Sequence, residues 1–146
     1  MTQNLIHDWF ARTTGKWVSE RRYIFNMETR KPTNMTTEFT IGAATEGEFD
    51  YVVAWEGQTE GTMNLKLLGN ELHRDIGYFT DKPTVSLMEM VDADTLVMRT
   101  SYDGLTFREE VRMLYNDTVR LRQTIGTSDE DGTVRIVGQY YETREF

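Results

Sequence analysis

Cysteine is absent. The chain therefore has no thiol nucleophile, no zinc–thiolate site, no disulfide and no cysteine-bound cofactor of its own. Histidine occurs only twice, at His7 and His73, with no metal-ligand spacing between them. No phosphate-binding glycine loop and no metal signature are readable. There is no run of 18 apolar residues, which excludes a membrane-spanning helix. The opening "MTQNLIHDWF" lacks the basic-then-apolar layout of a signal peptide, so the expected location is cytoplasmic. The sequons at Asn34 and Asn116 then carry no weight. Basic residues are in deficit, with 16 Lys and Arg against 24 Asp and Glu, a net charge of −8. Such a chain is a poor partner for nucleic acid or an anionic membrane.

What is present is aromatic and alternating. Aromatic residues make up 12% of the 146 residues, enough to furnish both a core and the walls of a pocket for a flat ligand. Only the start has helical periodicity: "NLIHDWFART" puts Leu5, Ile6, Trp9 and Phe10 on one face, and Gly15 marks the stop. The remainder reads as ten short strands, over 17–27, 35–41, 49–56, 62–68, 71–79, 84–90, 95–102, 106–115, 118–125 and 134–145. Turn residues separate them, with Asp103-Gly104 and Asp131-Gly132 as the strongest hairpin signals. One leading helix and about ten evenly spaced strands predict a single all-β domain, a sandwich or an antiparallel up-and-down barrel. The expected division is a helix over 1–15 and a barrel over 16–146. Gly15-x-Trp17 at the mouth of the first strand resembles the Gly-x-Trp opening of lipocalins and favours the barrel, which holds one small ligand at this strand number.

Charges inside these strands are the candidate chemistry. In "VRLRQT", Arg120, Arg122 and Thr124 share one face and Val119 and Leu121 the other. Trp17, Ser19 and Arg21 share a face of the first strand, and Tyr140, Glu142 and Arg144 share a face of the last. "FREEVRM" adds Glu109 and Glu110. The plain alternative is that all of these lie on a solvated outer face. Turned inward, the arginines would suit a carboxylate ligand, because the planar guanidinium makes two parallel hydrogen bonds. Inward charges need a ligand or partner charges to satisfy them.

These residues also resemble a family. The pieces "WFARTTGKWVSERRY", "AWEGQTEG", "ELHRDIGYF", "TSYDGLTFREEVRM", "TVRLRQT" and "YYETR" are similar, in order and spacing, to the S-type phycobiliprotein lyases of the CpcS/CpeS kind. The resemblance runs over about residues 9 to 144. It matches Phe10, Gly15, Trp17, Ser19 and Arg21, then Trp55 and Gly57, then Arg74, Gly77 and Tyr78, then Glu110, Arg120, Arg122 and Thr124, and finally Glu142 and Arg144. Two departures stand out: Gly61 where many members carry a second tryptophan, and Asp117-Thr118 in place of a Pro-Asn turn.

The resemblance implies a lipocalin-like barrel that binds a linear tetrapyrrole non-covalently and transfers it to a cysteine of a phycobiliprotein subunit. It implies no permanent cofactor. The bilin is the substrate, with phycoerythrobilin favoured over phycocyanobilin, and a bilin reductase is a candidate donor. Arg120 and Arg122, with Arg21 or Arg144, would take the propionates. Glu110 and Glu142 would face the pyrrole nitrogens. Trp17, Ser19, Trp55, Met63, Tyr78 and Thr124 would complete the pocket. The expected catalytic set is Glu110, Glu142 and Arg21. A cyanobacterial cytosol, an algal plastid and a phage-infected host all suit such a protein, and an apolar outer side at Val119 and Leu121 is compatible with a homodimer. The alternative function is a carrier that binds a bilin or another anionic hydrophobe without transferring it. Simple hairpin arithmetic around Asn116-Asp117 turns Glu109 inward, whereas a three-residue loop or a bulge turns Glu110 inward; the family pattern selects Glu110.

Overall fold

The computed structural model describes residues 2–25, 31–77 and 80–146. A helix, α1 (Thr2–Arg12), precedes ten strands: β1 (Gly15–Phe25), β2 (Thr33–Ala43), β3 (Tyr51–Glu56), β4 (Gly61–Leu68), β5 (Glu71–Arg74), β6 (Thr84–Asp92), β7 (Thr95–Tyr102), β8 (Leu105–Leu114), β9 (Val119–Ser128) and β10 (Val134–Glu145). Each strand pairs antiparallel with its neighbours in sequence, and β1 closes the barrel against β10. The expected up-and-down barrel is the observed one. None of the helices among the described residues is long and apolar enough to cross a membrane.

The turns follow local chemistry. Asp103 and Gly104 have φ of 52° and 74°, the paired positive values that a two-residue hairpin needs. The Asp131-Gly132 loop is longer, and Asp131 accepts hydrogen bonds from the Thr133 backbone and hydroxyl. A register shift between Val134 and Ile136 then inserts Arg135 as an extra residue before β10 settles into its ladder. Strand β5 stops at Arg74, short of the expected 71–79, because Asp75 turns its carboxylate to the Asn64 backbone N–H (2.8 Å) and side-chain amide (2.7 Å).

Helix α1 plugs the end of the barrel where β1 begins. Ile6, Trp9, Phe10 and Thr13 are buried, a stripe at i, i+3, i+4 and i+7. Leu5 lies beside that stripe and is 41% exposed, so it is not part of the predicted face. The Trp9 indole donates to the Asp94 carbonyl at 2.9 Å, and Arg12 reaches both Asp94 (2.6 Å) and Asp117 (2.7 Å). One helix is thus tied to the β6–β7 and β8–β9 turns.

Arg144 completes this corner. Its Nε donates to the Asp117 carbonyl at 2.8 Å and its Nη2 to the Arg12 carbonyl at 2.7 Å, while Nη1 donates to the Thr14 carbonyl. The guanidinium lies over the Trp17 ring at 4.4 Å. Gly15, at φ 140°, leaves the space that this guanidinium fills. The Gly-x-Trp signature is therefore the seat of an arginine that joins helix, first strand and last strand.

Replacing Arg144 with Met should lower the stability to urea by about 3 kcal/mol, the scale expected for loss of charged, part-buried hydrogen bonds. An unchanged urea midpoint would mean that the corner is held by other contacts.

Candidate functional site

The barrel interior has two zones. Near the helix it is apolar, built from Trp9, Phe10, Trp17, Phe39, Met63 and Met113 with their neighbours. Above this floor the inward positions of β5, β8, β9 and β10 carry charge. Arg74, Glu109, Arg120, Arg122 and Glu142 are all buried. Three arginines and two glutamates make this layer net positive inside a chain of net charge −8.

Register explains why they meet. On β9, Arg120 pairs with Glu142 and Arg122 with Tyr140, while across the other ladder Arg120 pairs with Met113 and Arg122 with Val111. The inward face of "VRLRQT" is the arginine face, and Leu121 on the other side is 41% exposed. The helix lies at the barrel end and does not cover it.

The charges form a chain. Glu142 Oε1 lies 3.1 Å from Arg120 Nε, and Glu142 Oε2 accepts from Arg122 Nη1 at 3.3 Å. Arg122 Nη2 is 3.9 Å from Glu109 Oε2, and Arg74 Nη2 is 3.5 Å from Glu109 Oε1. Arg120 also donates to the Thr13 hydroxyl, which anchors it to the helix corner. Arg21, half-buried on β1, donates from Nε to Ser19 Oγ at 3.0 Å and lies 5.3 Å from the Tyr140 ring centroid. Arg122 packs on that same ring at 4.2 Å.

Protonation follows from these neighbours. Burial alone pushes the Glu142 carboxyl up, but Arg122 and Arg120, helped by the Ser19 hydroxyl and Arg21, outweigh it and hold the group below its ordinary value. Glu142 is an anion at neutral pH. Burial pushes the Tyr140 phenol up despite Arg122, so it stays a neutral hydroxyl.

The glutamate opposite the arginines is Glu109, not Glu110. The β8–β9 connection is Tyr115–Thr118, with φ of 51°, 54° and 62° at Tyr115, Asn116 and Asp117. Four residues is an even number, so the connection leaves the register that a two-residue turn would set, with Glu109 opposite Thr124 and facing in. Glu110 pairs with Gln123 on the outer side, 3.6 Å from Arg108, with its side chain 37% exposed against 7% for Glu109. The family-based choice of Glu110 is corrected by hairpin geometry.

Other predicted residues divide by depth. Thr124 and Ser19 are buried on the inward face beside the charge layer. Met63 and Trp17 lie in the apolar floor, and Trp17 Nε1 donates to the Thr13 carbonyl at 3.0 Å. Arg144 is away from the charge layer, with its guanidinium committed to the corner carbonyls. Trp55 faces inward and packs against the floor, its ring lying where a Cβ on Gly61 would stand. Any side chain at 61 would push the indole away, so the missing second tryptophan and the position of Trp55 are one feature. Tyr78 lies outside the described residues. Sequence reading missed Arg74 as a member of the site, along with Ser86, Thr100 and Met98 around it. The family resemblance matched Arg74 without giving it a role, and a four-residue strand is too short for alternation to supply one.

Between the floor and the charges is a cavity of about 40 Å³, bordered by Phe10, Met63, Arg74, Glu109, Arg120 and Arg122 among others. That volume admits water, not a large ligand. Among the described residues, a concavity of about 950 Å³ meets the charge layer at Arg122, with Arg21 and Tyr140 beside it. It also takes in Glu20, Arg22, Leu121, Gln139 and Tyr141, which alternate with the inward residues, so it borders both the inner and the outer faces of these strands. Among the described residues no cluster of His, Asp and Glu could hold a metal.

Because the Glu142 carboxyl is depressed in the folded protein, its contribution to stability is complete above the unfolded carboxylate value and is lost as pH falls through the lower folded value. Glu142→Gln should cost about 3–5 kcal/mol at pH 7 by leaving Arg120 and Arg122 undercompensated. The cost should shrink as pH falls below the ordinary glutamate range, measured by urea unfolding across pH. A pH-independent loss would place the effect in packing.

Comparison with known proteins fits this geometry. A family model for CpeS-like proteins matches residues 61–145, a stretch containing Arg74, Glu109, Arg120, Arg122 and Glu142. A Nostoc protein assigned as phycocyanobilin lyase CpcS 2 is 28% identical over 97% of this chain and 92% of its own length. A Picosynechococcus protein assigned as chromophore lyase CpcV is 25% identical over 92% and 79%. The S-type phycobiliprotein lyase CPES of Guillardia theta superimposes with a TM-score of 0.76 over 100% of this chain and 94% of its own, at 19% identity, which speaks to the fold. By sequence match over more than half its length, and in the same barrel, the chain belongs to the CpeS-like family.

Proposed function

We propose that this protein is a bilin lyase: it binds a linear tetrapyrrole without a covalent bond and delivers it to a cysteine of a phycobiliprotein subunit. The observation that carries the reading is the cationic, arginine-rich layer sealed inside an acidic barrel. An excess of buried positive charge is costly and is best met by an anionic ligand. A bilin brings two propionates, and the assigned lyases among the relatives give that ligand its chemical class.

Arg122 and Arg21 are the proposed propionate partners, because both sit beside Tyr140 on the side away from the helix plug. Glu142 and Glu109 are the proposed acceptors for pyrrole N–H groups, a carboxylate there favouring the protonated, more electrophilic tetrapyrrole. Arg120, stacked among Trp9, Trp17 and Phe39 and tied to Thr13, backs Glu142 instead of meeting the ligand. The cavity of about 40 Å³ is too small for a tetrapyrrole, and the concavity of about 950 Å³ that reaches Arg21, Arg122 and Tyr140 is the proposed entrance.

The chain has no cysteine, so the nucleophile comes from the acceptor. Its sulfur adds to the ethylidene carbon of ring A, forming one C–S bond. The thiol proton ends on the tetrapyrrole, and no oxidant or leaving group is needed. The lyase contributes position, conformation and charge. Phycoerythrobilin is the proposed cargo, received from a bilin reductase, with phycocyanobilin as the competitor to test.

The test mixes the protein with each bilin and an acceptor subunit. The expected result is faster covalent attachment than in its absence, cleaner with phycoerythrobilin, and a loss of about a hundredfold or more in Arg122→Ala, the scale for removing one preorganised electrostatic partner. Reversible binding with no acceleration of attachment would make the protein a carrier. Absence of any bilin absorbance change would overturn both readings.

A further inference from the structure

Arg74 has no part in the reading above, yet it is 5% exposed and built into the site from a different wall. It stands on β5, whereas the other buried arginines stand on β9. Its Nη1 donates to Ser86 Oγ at 2.8 Å, and Nη2 reaches Met98 Sδ at 3.5 Å and Glu109 Oε1 at 3.5 Å. Ser86 is in turn hydrogen-bonded to Thr100. Strands β6 and β7 thus aim the guanidinium at one oxygen of Glu109.

The pairing around the two glutamates has a pattern. Glu109 has Arg74 at Oε1 and Arg122 at Oε2. Glu142 has Arg120 at Oε1 and Arg122 at Oε2. Arg122 is shared by both, and it is also one of the two proposed propionate partners. When Arg122 turns to a propionate, Glu142 keeps Arg120 and Glu109 keeps Arg74. A buried carboxylate that lost its last ion pair would be costly to hold in place.

We propose that Arg74 is a positioning residue, the standing counter-ion of Glu109, holding that carboxylate toward the lumen while Arg122 is engaged by the ligand. The inference rests on the bilin-lyase reading. It makes Arg74 act through Glu109 and not on the bilin, so its effect must vanish when Glu109 is already neutral.

The experiment uses the full chain and four variants: Arg74→Met, Arg74→Lys, Glu109→Gln and the Arg74→Met/Glu109→Gln pair. Bilin absorbance and the rate of transfer to the acceptor subunit are read for each, with thermal melts by circular dichroism. Wild-type protein that neither binds nor transfers a bilin overturns the lyase reading and Arg74's role with it. With wild-type transfer established, Arg74→Met should bind bilin within about threefold of wild type, show a displaced absorbance band, and transfer about tenfold more slowly. Arg74→Lys should recover most of that rate by restoring the charge. The double variant should transfer no more slowly than Glu109→Gln alone. If Arg74→Met does not fold, the double variant, which leaves no unpaired carboxylate at 109, is compared with Glu109→Gln and carries the test. Wild-type transfer by Arg74→Met, or losses that multiply in the double variant, would overturn the role while leaving the lyase reading intact.

Discussion

Glu142, fully buried between Arg120 and Arg122, is the interaction around which the barrel is organised. A carboxylate at zero exposure is tolerated only with strong partners, and here they arrive from the adjacent strand with Ser19 from the other side. Those partners need their own supports. Arg120 leans on Thr13 and three aromatic rings, and Arg122 on Tyr140. Aromatic faces hold guanidinium groups in direction without neutralising them. The layer therefore remains net positive, which is the property a carboxylate ligand can use.

The arginines along the barrel axis do different work according to depth. At the helix end, Arg144 and Arg12 spend their donors on backbone carbonyls and on turn aspartates, and the result is a closed corner. One layer in, Arg120 links that corner to Glu142. Further in, Arg122 and Arg74 meet glutamates and lie toward the lumen. The contacts at the plugged end are short hydrogen bonds, whereas the Arg74 and Arg122 pairs with Glu109 are longer, at 3.5 and 3.9 Å. Trp55 over Gly61 shows the same economy: a missing side chain on one strand makes room for a ring on the next.

The barrel was largely legible from the chain, because strand alternation and turn chemistry are local. The ten strands, the Asp103-Gly104 hairpin and the shared face of Arg120 and Arg122 follow from neighbours a few residues apart, whereas alternation alone left their direction open and the family resemblance turned them inward. Leu5 and the length of β5 were misjudged for local reasons as well: a helical stripe narrower than its apolar letters, and an aspartate that ends a ladder early. Glu110 was misplaced because a family pattern was preferred to the parity of a turn, and a one-residue choice in a strand reverses the face. Arg144 shares a strand face with Glu142, but a shared face says nothing about height along the barrel axis.

The sequence by itself determined the class of fold, the lack of any nucleophilic thiol, the acidic exterior and the alternation that sends charges to one side of β9 and β10. Those properties depend on composition and on contacts close along the chain. Only the tertiary structure decided which of two adjacent glutamates faces the lumen, that Arg74 belongs with residues 35 to 48 positions away, and that Arg144 serves the corner. Barrel closure sets these, because it brings β5 and β9 to opposite walls of one narrow interior, where a buried charge must find its partner across the lumen.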